Sequence, residues 1–261
     1  MTPPLTYRTY LELDRLLDLQ HPRSESAEHD EMLFIVIHQI YELWFKLLLH
    51  ETDKLRRELS ADDLYGAIAT FQRMRTVMKI LVAQLDVLET MTPRSFASFR
   101  DRLDTASGFQ SSQFRELEFV LGYKRAQLAR SGSPVPDISR LADRLEERTV
   151  LDHWYDFLAM RGLAVPERLR ARDVREPAVP DEALQAELLR AYRDQPELVI
   201  LFELMLDFDE GLQEWRYRHV KVVERTIGAK QGTGGSAGVE FLKGTLFRPL
   251  FADLWAIRHR M

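Results

Sequence analysis

The chain contains no cysteine among its 261 residues. That absence removes disulfides, cysteine-based zinc sites, iron–sulfur clusters, covalent c-type haem attachment and the thiolate-ligated haems that split oxygen. Charge of one sign is also lacking. The 36 Lys and Arg against 41 Asp and Glu leave a net charge of −5, so no dominant surface for nucleic acid or an anionic membrane is expected. The N-terminus, Met1-Thr-Pro-Pro-Leu-Thr-Tyr7, has no basic segment followed by an apolar one. No signal peptide is read there, and a cytoplasmic location is expected. A clean membrane span is missing too. The most apolar run, Leu33 to Leu49, carries His38, Glu42 and Lys46 at i, i+4 and i+8, which suits a buried helix with one polar stripe better than a lipid-facing one.

What is present is helical periodicity over most of the length. A first long pattern runs from about Ser26 to Ser60, a second from about Ala61 to Met91, and a third from about Pro196 to Ile227. Thr92-Pro93 is a cap followed by a first-turn proline and predicts a short helix through Leu103. Ser107-Gly108 breaks the chain, and helix resumes over Gln110 to Leu121 before Gly122. A last helix is expected from roughly Val239 to Arg260. Two Pro-rich stretches, Ser131 to Pro136 and Arg172 to Pro180, bracket an amphipathic, peripheral helical hairpin over about residues 131–180. Between Gly228 and Gly238 lie five of the chain's 12 glycines. Strands are hard to place, so the expected fold is all-α, a helical bundle forming one domain over residues 1–261.

Two histidines carry the chemical interest. His38 lies in Phe34-Ile-Val-Ile-His38-Gln-Ile-Tyr-Glu-Leu-Trp-Phe-Lys46 and His219 in Trp215-Arg-Tyr-Arg-His219-Val-Lys-Val-Val-Glu-Arg225. Each has an aromatic residue one helical turn before it. Taken alone, a histidine in either setting is more often a hydrogen-bonded core residue than a ligand. Two buried imidazoles on either side of one cavity are what a haem requires. Arg216, Arg218 and Arg225 could pair with its propionates or form a solvated face. Arg100, in Ser95-Phe-Ala-Ser-Phe-Arg100, offers a fork suited to a carboxylate. Ser107 reads as a helix-start cap or as a weak anion contact. Thr233 is the hydroxyl at the centre of the glycine-rich loop, which could cradle an anion or simply connect. The remaining histidines, His21, His29, His50, His153 and His259, show no metal-ligand spacing.

Together these segments closely resemble the tryptophan 2,3-dioxygenase family of haem enzymes. The resemblance is tightest in Tyr7-Arg-Thr-Tyr10-Leu11, the His38 helix, Ser107-Gly-Phe-Gln-Ser111, the His219 helix and Gly232-Thr233-Gly-Gly235. Five motifs in order are far more specific than any one. The resemblance implies oxidative opening of the indole ring of L-tryptophan by O2 to N-formylkynurenine, the first step of the kynurenine pathway, using one haem b per subunit. It implies that His219 is the proximal iron ligand and that the catalytic-site His38 accepts the indole N–H. Arg100 would bind the substrate carboxylate, with Thr233 at the amino-acid end. Phe34, Phe96, Leu103 and Ser107 would line the pocket, Ser107 also at the haem edge. Tyr7, Tyr10 and Leu11 would reach into a neighbouring subunit of a homotetramer.

Phe96 departs from the tyrosine often found in bacterial relatives, which removes one neutral hydrogen bond to the carboxylate, worth about 1 kcal/mol. Ser112 stands where a larger residue is common. These departures keep a second reading open, a haem-dependent monooxygenase acting on a substituted tryptophan. A haem-binding sensor without catalysis would have no use for the amino-acid clamp of Arg100 and Thr233. No nucleic-acid or membrane partner is expected.

Overall fold

A computed structural model describes residues 4–25, 28–234 and 238–261. Ser26, the expected start of the first long helix, and Gly235 of the glycine-rich motif lie outside them, as do residues 1–3. Among the described residues the secondary structure is helical throughout, without a strand.

Two single-turn helices come first, α1 (Tyr7–Tyr10) and α2 (Leu13–Leu16), neither of which buries a residue. The 32-residue α3 (His29–Ser60) follows, with Asp30 and Glu31 in its first turn, where carboxylates complement the free N–H groups. Glu31 is buried and accepts hydrogen bonds from the backbone N–H of Arg23 (2.6 Å) and Ser24 (3.0 Å), which fastens the preceding segment to the helix. The chain turns at Ala61 to Asp63, with Asp62 at a φ of 57°. The Asp63 side chain then caps α4 (Leu64–Leu88) by accepting from the Gly66 N–H at 2.9 Å, a contact of about 1 kcal/mol.

α5 (Pro93–Phe99) starts as its sequence predicts, Thr92 accepting from Ser95 N–H with proline at the first turn. Its expected extension to Leu103 tightens into a 3-10 turn, Arg100–Leu103, that ends where Asp104 takes a φ of 49°. A second 3-10 turn, Gly108–Gln110, leads into α6 (Ser112–Val120), which buries every residue from Phe114 to Val120.

The stretch expected to be a peripheral hairpin is peripheral only in its first arm. α7 (Ile138–Glu146) buries Leu141 alone. α8 (Val150–Met160) buries Val150, Leu151, Trp154, Tyr155, Phe157 and Leu158 and packs on α3. Apolar side chains around most of its circumference force that helix inside, since each fully buried one contributes about 1.5–3 kcal/mol. The short α9 (Glu167–Arg170) and then α10 (Glu182–Asp194), a helix that the sequence pattern did not single out, lead to α11 (Pro196–Ile227). The bounds of α11 are those expected.

The single C-terminal helix expected over Val239 to Arg260 is instead broken into α12 (Val239–Lys243), α13 (Ala252–Ala256) and a final 3-10 turn, Arg258–Arg260. Phe247 sits at a φ of 56°, and Pro249 has no N–H to continue a helix. The decisive contact comes from α11. Asp209, fully buried, accepts from the N–H of Leu250 (2.8 Å) and Phe251 (3.1 Å) and from Trp255 Nε1 (2.9 Å), fixing the broken conformation.

The three long helices form the frame, α4 packing against both α3 and α11, with α6 and α8 on α3. One continuous apolar core runs through them, and a small satellite of Phe119, Leu128, Val135 and Leu141 lies beneath α7. By length and hydropathy α3 could cross a bilayer; in this fold α4, α6 and α8 lie against it.

Candidate active site

A cavity of about 260 Å³ opens between α3, α5, α6, α11 and the segment that follows α11. His38 and His219, from opposite halves of the chain, both line it. So do Phe34, Phe96, Arg100, Leu103, Ser107 and Thr233.

The α3 wall is aromatic. Phe34 packs against the His38 ring with 4.1 Å between centroids, and Phe96 and Phe99 pack on Phe34 at 5.8 and 5.7 Å. The His38 Nδ1 lies 2.7 Å from the Phe34 carbonyl oxygen one turn back. A carbonyl can only accept, so the proton is on Nδ1 and the Nε2 lone pair is left for the cavity. Burial lowers the His38 pKa, partly opposed by the Phe34 carbonyl and the charge of Glu42. The ring is therefore a neutral acceptor at pH 7. Gln113 of α6 donates to both the Glu42 carbonyl (2.9 Å) and its carboxylate (2.8 Å), which anchors the turn that follows His38.

The α11 wall presents His219 differently. Its ring lies parallel to that of Trp215, 1° apart in tilt with 5.4 Å between centroids. Trp215 in turn is packed by Tyr41, Phe45 and Phe114. Among the described residues no hydrogen bond engages the His219 ring. Its pKa falls to about 4, first through burial and then through the nearby His38 and the charge of Arg115. A neutral imidazole, enclosed by protein and committed to no partner, is what a metal ligand must be.

The third side is built from chain breaks. Ser107 caps the turn Gly108–Gln110 through a hydrogen bond from Phe109 N–H at 3.3 Å, and Gln110 answers by accepting from Ser107 N–H at 3.3 Å. Its role as a cap and its place in the cavity wall coexist. Arg100 Nη2 donates to the Gln231 carbonyl at 2.7 Å, and the Thr233 hydroxyl donates to the Ala106 carbonyl. These two bonds tie Gln231 and Thr233 to the side of the cavity that carries Arg100 and Ala106. Gly234 approaches so closely that a Cβ there would lie 2.7 Å from Ser107 Cβ. At Gly238, with a φ of 61°, a Cβ would lie 2.8 Å from the Lys230 carbonyl oxygen. Any larger residue at these positions would push the segment away.

Tyr7, Tyr10 and Leu11, expected at a neighbouring subunit's pocket, and two of the three arginines near His219 do not line this chain's own cavity. Tyr7, Tyr10 and Leu11 are 76%, 72% and 41% exposed and do not line it. Of the three arginines around His219, Arg218 pairs with Asp86 and Glu89, and Arg225 with Glu89. Only Arg216 is buried in the wall. Sequence reasoning missed Arg115 and Glu118 of α6, which also line the cavity. The available signal was Arg115, Glu116 and Glu118 interleaved with Phe114, Leu117 and Phe119 in one short helical stretch.

The donor set suits an iron porphyrin. No group of three or more His, Asp or Glu able to hold a bare ion occurs among the described residues. One free imidazole in an aromatic cavity, with a second imidazole also lining it, matches a macrocycle that supplies its own four nitrogen ligands.

Comparison with known proteins agrees with this geometry. The sequence profile described as tryptophan 2,3-dioxygenase matches residues 2–133 and 170–261. The tryptophan 2,3-dioxygenase of Herpetosiphon aurantiacus is 52% identical over 99% of each chain. That of Anaeromyxobacter sp. strain K is 50% identical over 97% of this chain and 95% of its own. The protein of the same name from Caulobacter vibrioides is 41% identical over the whole of both chains.

Proposed function

The chain belongs to the tryptophan 2,3-dioxygenase family, and from that premise we propose how its own residues carry out the oxidative opening of the tryptophan ring. It is an oxidoreductase of a haem-dependent family acting on tryptophan with O2. The finer reading assigns one haem b per subunit to His219 as proximal ligand and N-formylkynurenine as the product. When bound, haem would supply a redox-active iron able to take up O2.

The remaining work falls to side chains that line the cavity. Phe34, Phe96 and Leu103 receive the flat indole and exclude water. The His38 Nε2 lone pair, fixed by the Phe34 carbonyl, accepts the indole N–H and sets the rotation of the ring. The Arg100 guanidinium takes the substrate carboxylate in a charge-assisted pair, and the Thr233 hydroxyl meets the amino-acid end. Fixing the ring and both charged ends gives the orientation on which the rate of an otherwise bimolecular step depends. Arg100 and Thr233 are also bonded to the Gln231 and Ala106 carbonyls, so substrate binding would draw on groups already engaged there.

The observation that carries this reading is the pairing of an oriented neutral His38 with a neutral His219, free of hydrogen bonds among the described residues, on one cavity. Reconstitution with haem, followed by loading with L-tryptophan and O2 and mass spectrometry of the product, tests it. Gain of both oxygen atoms with formylkynurenine absorbance is expected. Gain of one atom on a substituted tryptophan would favour the monooxygenase reading, which relatives up to 52% identical and uniformly named dioxygenases do not favour.

The exposed α1, with Tyr7, Tyr10 and Leu11, belongs to the same proposal as a segment that completes a neighbouring subunit's pocket in a cytoplasmic homotetramer without membrane or nucleic-acid partners. Its apolar exposure supports this, since tyrosine and leucine left in water are costly. Removal of residues 1–11 should cut turnover on the order of tenfold; unchanged turnover would reject the exchange.

A further inference from the structure

Three guanidinium groups converge on one carboxylate at the α6 end of the cavity. One Glu118 oxygen accepts from Arg115 Nη1 at 2.5 Å and from Arg125 Nη2, and the other accepts from Arg216 Nη2 at 3.3 Å. Three positive charges thus face one negative charge. Arg115 and Arg216 are only 6% and 5% exposed. Neighbouring carboxylates are engaged elsewhere, Glu116 with Arg140 and Arg144, and Asp209 with Leu250, Phe251, Trp255 and Gln213.

The aromatic faces beside these cations do not replace a counter-ion. Arg115 stacks on Phe109 and Phe114 at 5.1 and 4.9 Å, and Arg216 on Tyr123 at 4.4 Å. Such contacts orient a guanidinium and attract it weakly, whereas leaving a buried charge uncompensated is far more costly. Two buried N–H donors, Arg115 Nε and Trp215 Nε1, also have no hydrogen-bond partner among the described residues. Both residues line the cavity, as does Arg216. Positive charge, orphaned N–H groups and the His219 imidazole therefore share one chamber.

We propose that the Arg115–Trp215–Arg216 end of the cavity is an anion site for a carboxylate carried on the rim of the macrocycle, a haem propionate. This rests on the assignment of His219 to the iron. It separates two acids within one pocket. The substrate carboxylate goes to Arg100 beneath the glycine-rich segment, and the cofactor carboxylate goes to the α6–α11 junction. Glu118 then serves as the internal partner that keeps the three arginines together before the cofactor arrives.

The test compares the affinity of the full-length apoprotein for protohaem with that for haem carrying both propionates as methyl esters, read by Soret titration. The wild type is expected to bind the ester at least about tenfold more weakly, the scale of one lost charge-assisted hydrogen bond. In Arg115→Gln or Arg216→Gln that ratio should fall to within about twofold. If glutamine in that wall prevents folding, Arg115→Lys, which keeps the charge but loses the fork, should give an intermediate ratio. Equal affinities in the wild type would overturn the proposal, as would a ratio that both variants leave unchanged. If Arg115→Gln instead altered the preference of reconstituted protein for tryptophan over tryptamine, the site would belong to the substrate acid and the proposal would fall. Absence of any His219-dependent Soret band with either porphyrin would reject the haem assignment itself, a separate failure.

Discussion

His38 and His219 occupy equivalent settings and are held in opposite ways. Each lies on a 32-residue helix, α3 or α11, with an aromatic ring one turn before it. Each lines the same cavity, and burial lowers the pKa of both. The difference is one hydrogen bond. His38 gives its Nδ1 proton to the Phe34 carbonyl, so its Nε2 is a fixed acceptor. His219 is stacked on Trp215, which sets the ring plane, and among the described residues no hydrogen bond engages its ring nitrogens. An oriented acceptor is suited to a substrate N–H, and an uncommitted one to a metal. Burial makes both neutral; the hydrogen bond separates their roles.

The comparison breaks first at His219. Replacement by Ala should weaken haem binding on the order of a hundredfold or more, because no second imidazole on that wall can substitute. Normal haem loading of His219→Ala, measured by Soret absorbance per protein, would exchange the two roles or remove both. Arg100→Ala should raise the apparent KM for L-tryptophan about 10- to 100-fold while haem content stays normal, the loss expected for a charge-assisted pair. A changed haem content would place Arg100 on the cofactor instead.

His38→Ala should retain haem and weaken tryptophan binding about fivefold, the usual scale of one hydrogen bond. The sharper form uses 1-methyl-L-tryptophan, which has no indole N–H to donate. Wild type and His38→Ala should bind that analogue alike; a further loss in the variant would mean that His38 acts through shape rather than through its lone pair.

The smallest effect uses a histidine outside the cavity as a control. His153 on α8 is hydrogen-bonded to the Ser60 hydroxyl, and its pKa falls to about 4, first through burial and then through the charges of Arg56 and Arg148. A folded pKa below the ordinary histidine value of 6.5 means that the fold favours the neutral ring. Its stabilising contribution is complete above about 6.5 and is lost as pH falls toward about 4. His153→Gln should flatten the stability-versus-pH curve over that window in chemical denaturation and leave haem affinity unchanged. An altered affinity would show that neutral burial alone does not distinguish structural from ligand histidines here.

Much of the frame was legible because long apolar periodicity and caps act locally. Pro196 and the glycine after Ile227 bound α11, and Thr92-Pro93 starts α5, as the sequence indicates. The last helix was not legible. Helical spacing does run through residues 239–260, but Asp209, far away in sequence, captures the amides of Leu250 and Phe251 and prevents it. The hairpin over 131–180 misled for a related reason. Pro-rich flanks suggested an excursion, yet Trp154, Tyr155 and Phe157 have more apolar surface than the outside of a bundle can accommodate.

The site divides along the same line. The identities of His38, His219, Arg100 and Thr233 stood out from their motifs. Which of three arginines beside His219 turns inward did not, because the answer depends on Asp86 and Glu89 drawing Arg218 and Arg225 to the surface. Arg115 gave no motif at all. Its meaning is set by Glu118, Arg125 and Arg216 meeting in space.

By itself, the sequence determined the helical class, the two imidazoles, the absence of any thiolate and the glycines that permit a close crossing at Ser107. Tertiary structure alone decided which imidazole is tied to a carbonyl, where the positive charge accumulates and where the C-terminal helix breaks. The physical reason is range. Periodicity, caps and backbone freedom act within a turn or two of the chain, whereas pKa, charge balance and hydrogen-bond competition are summed over every group that folding brings near.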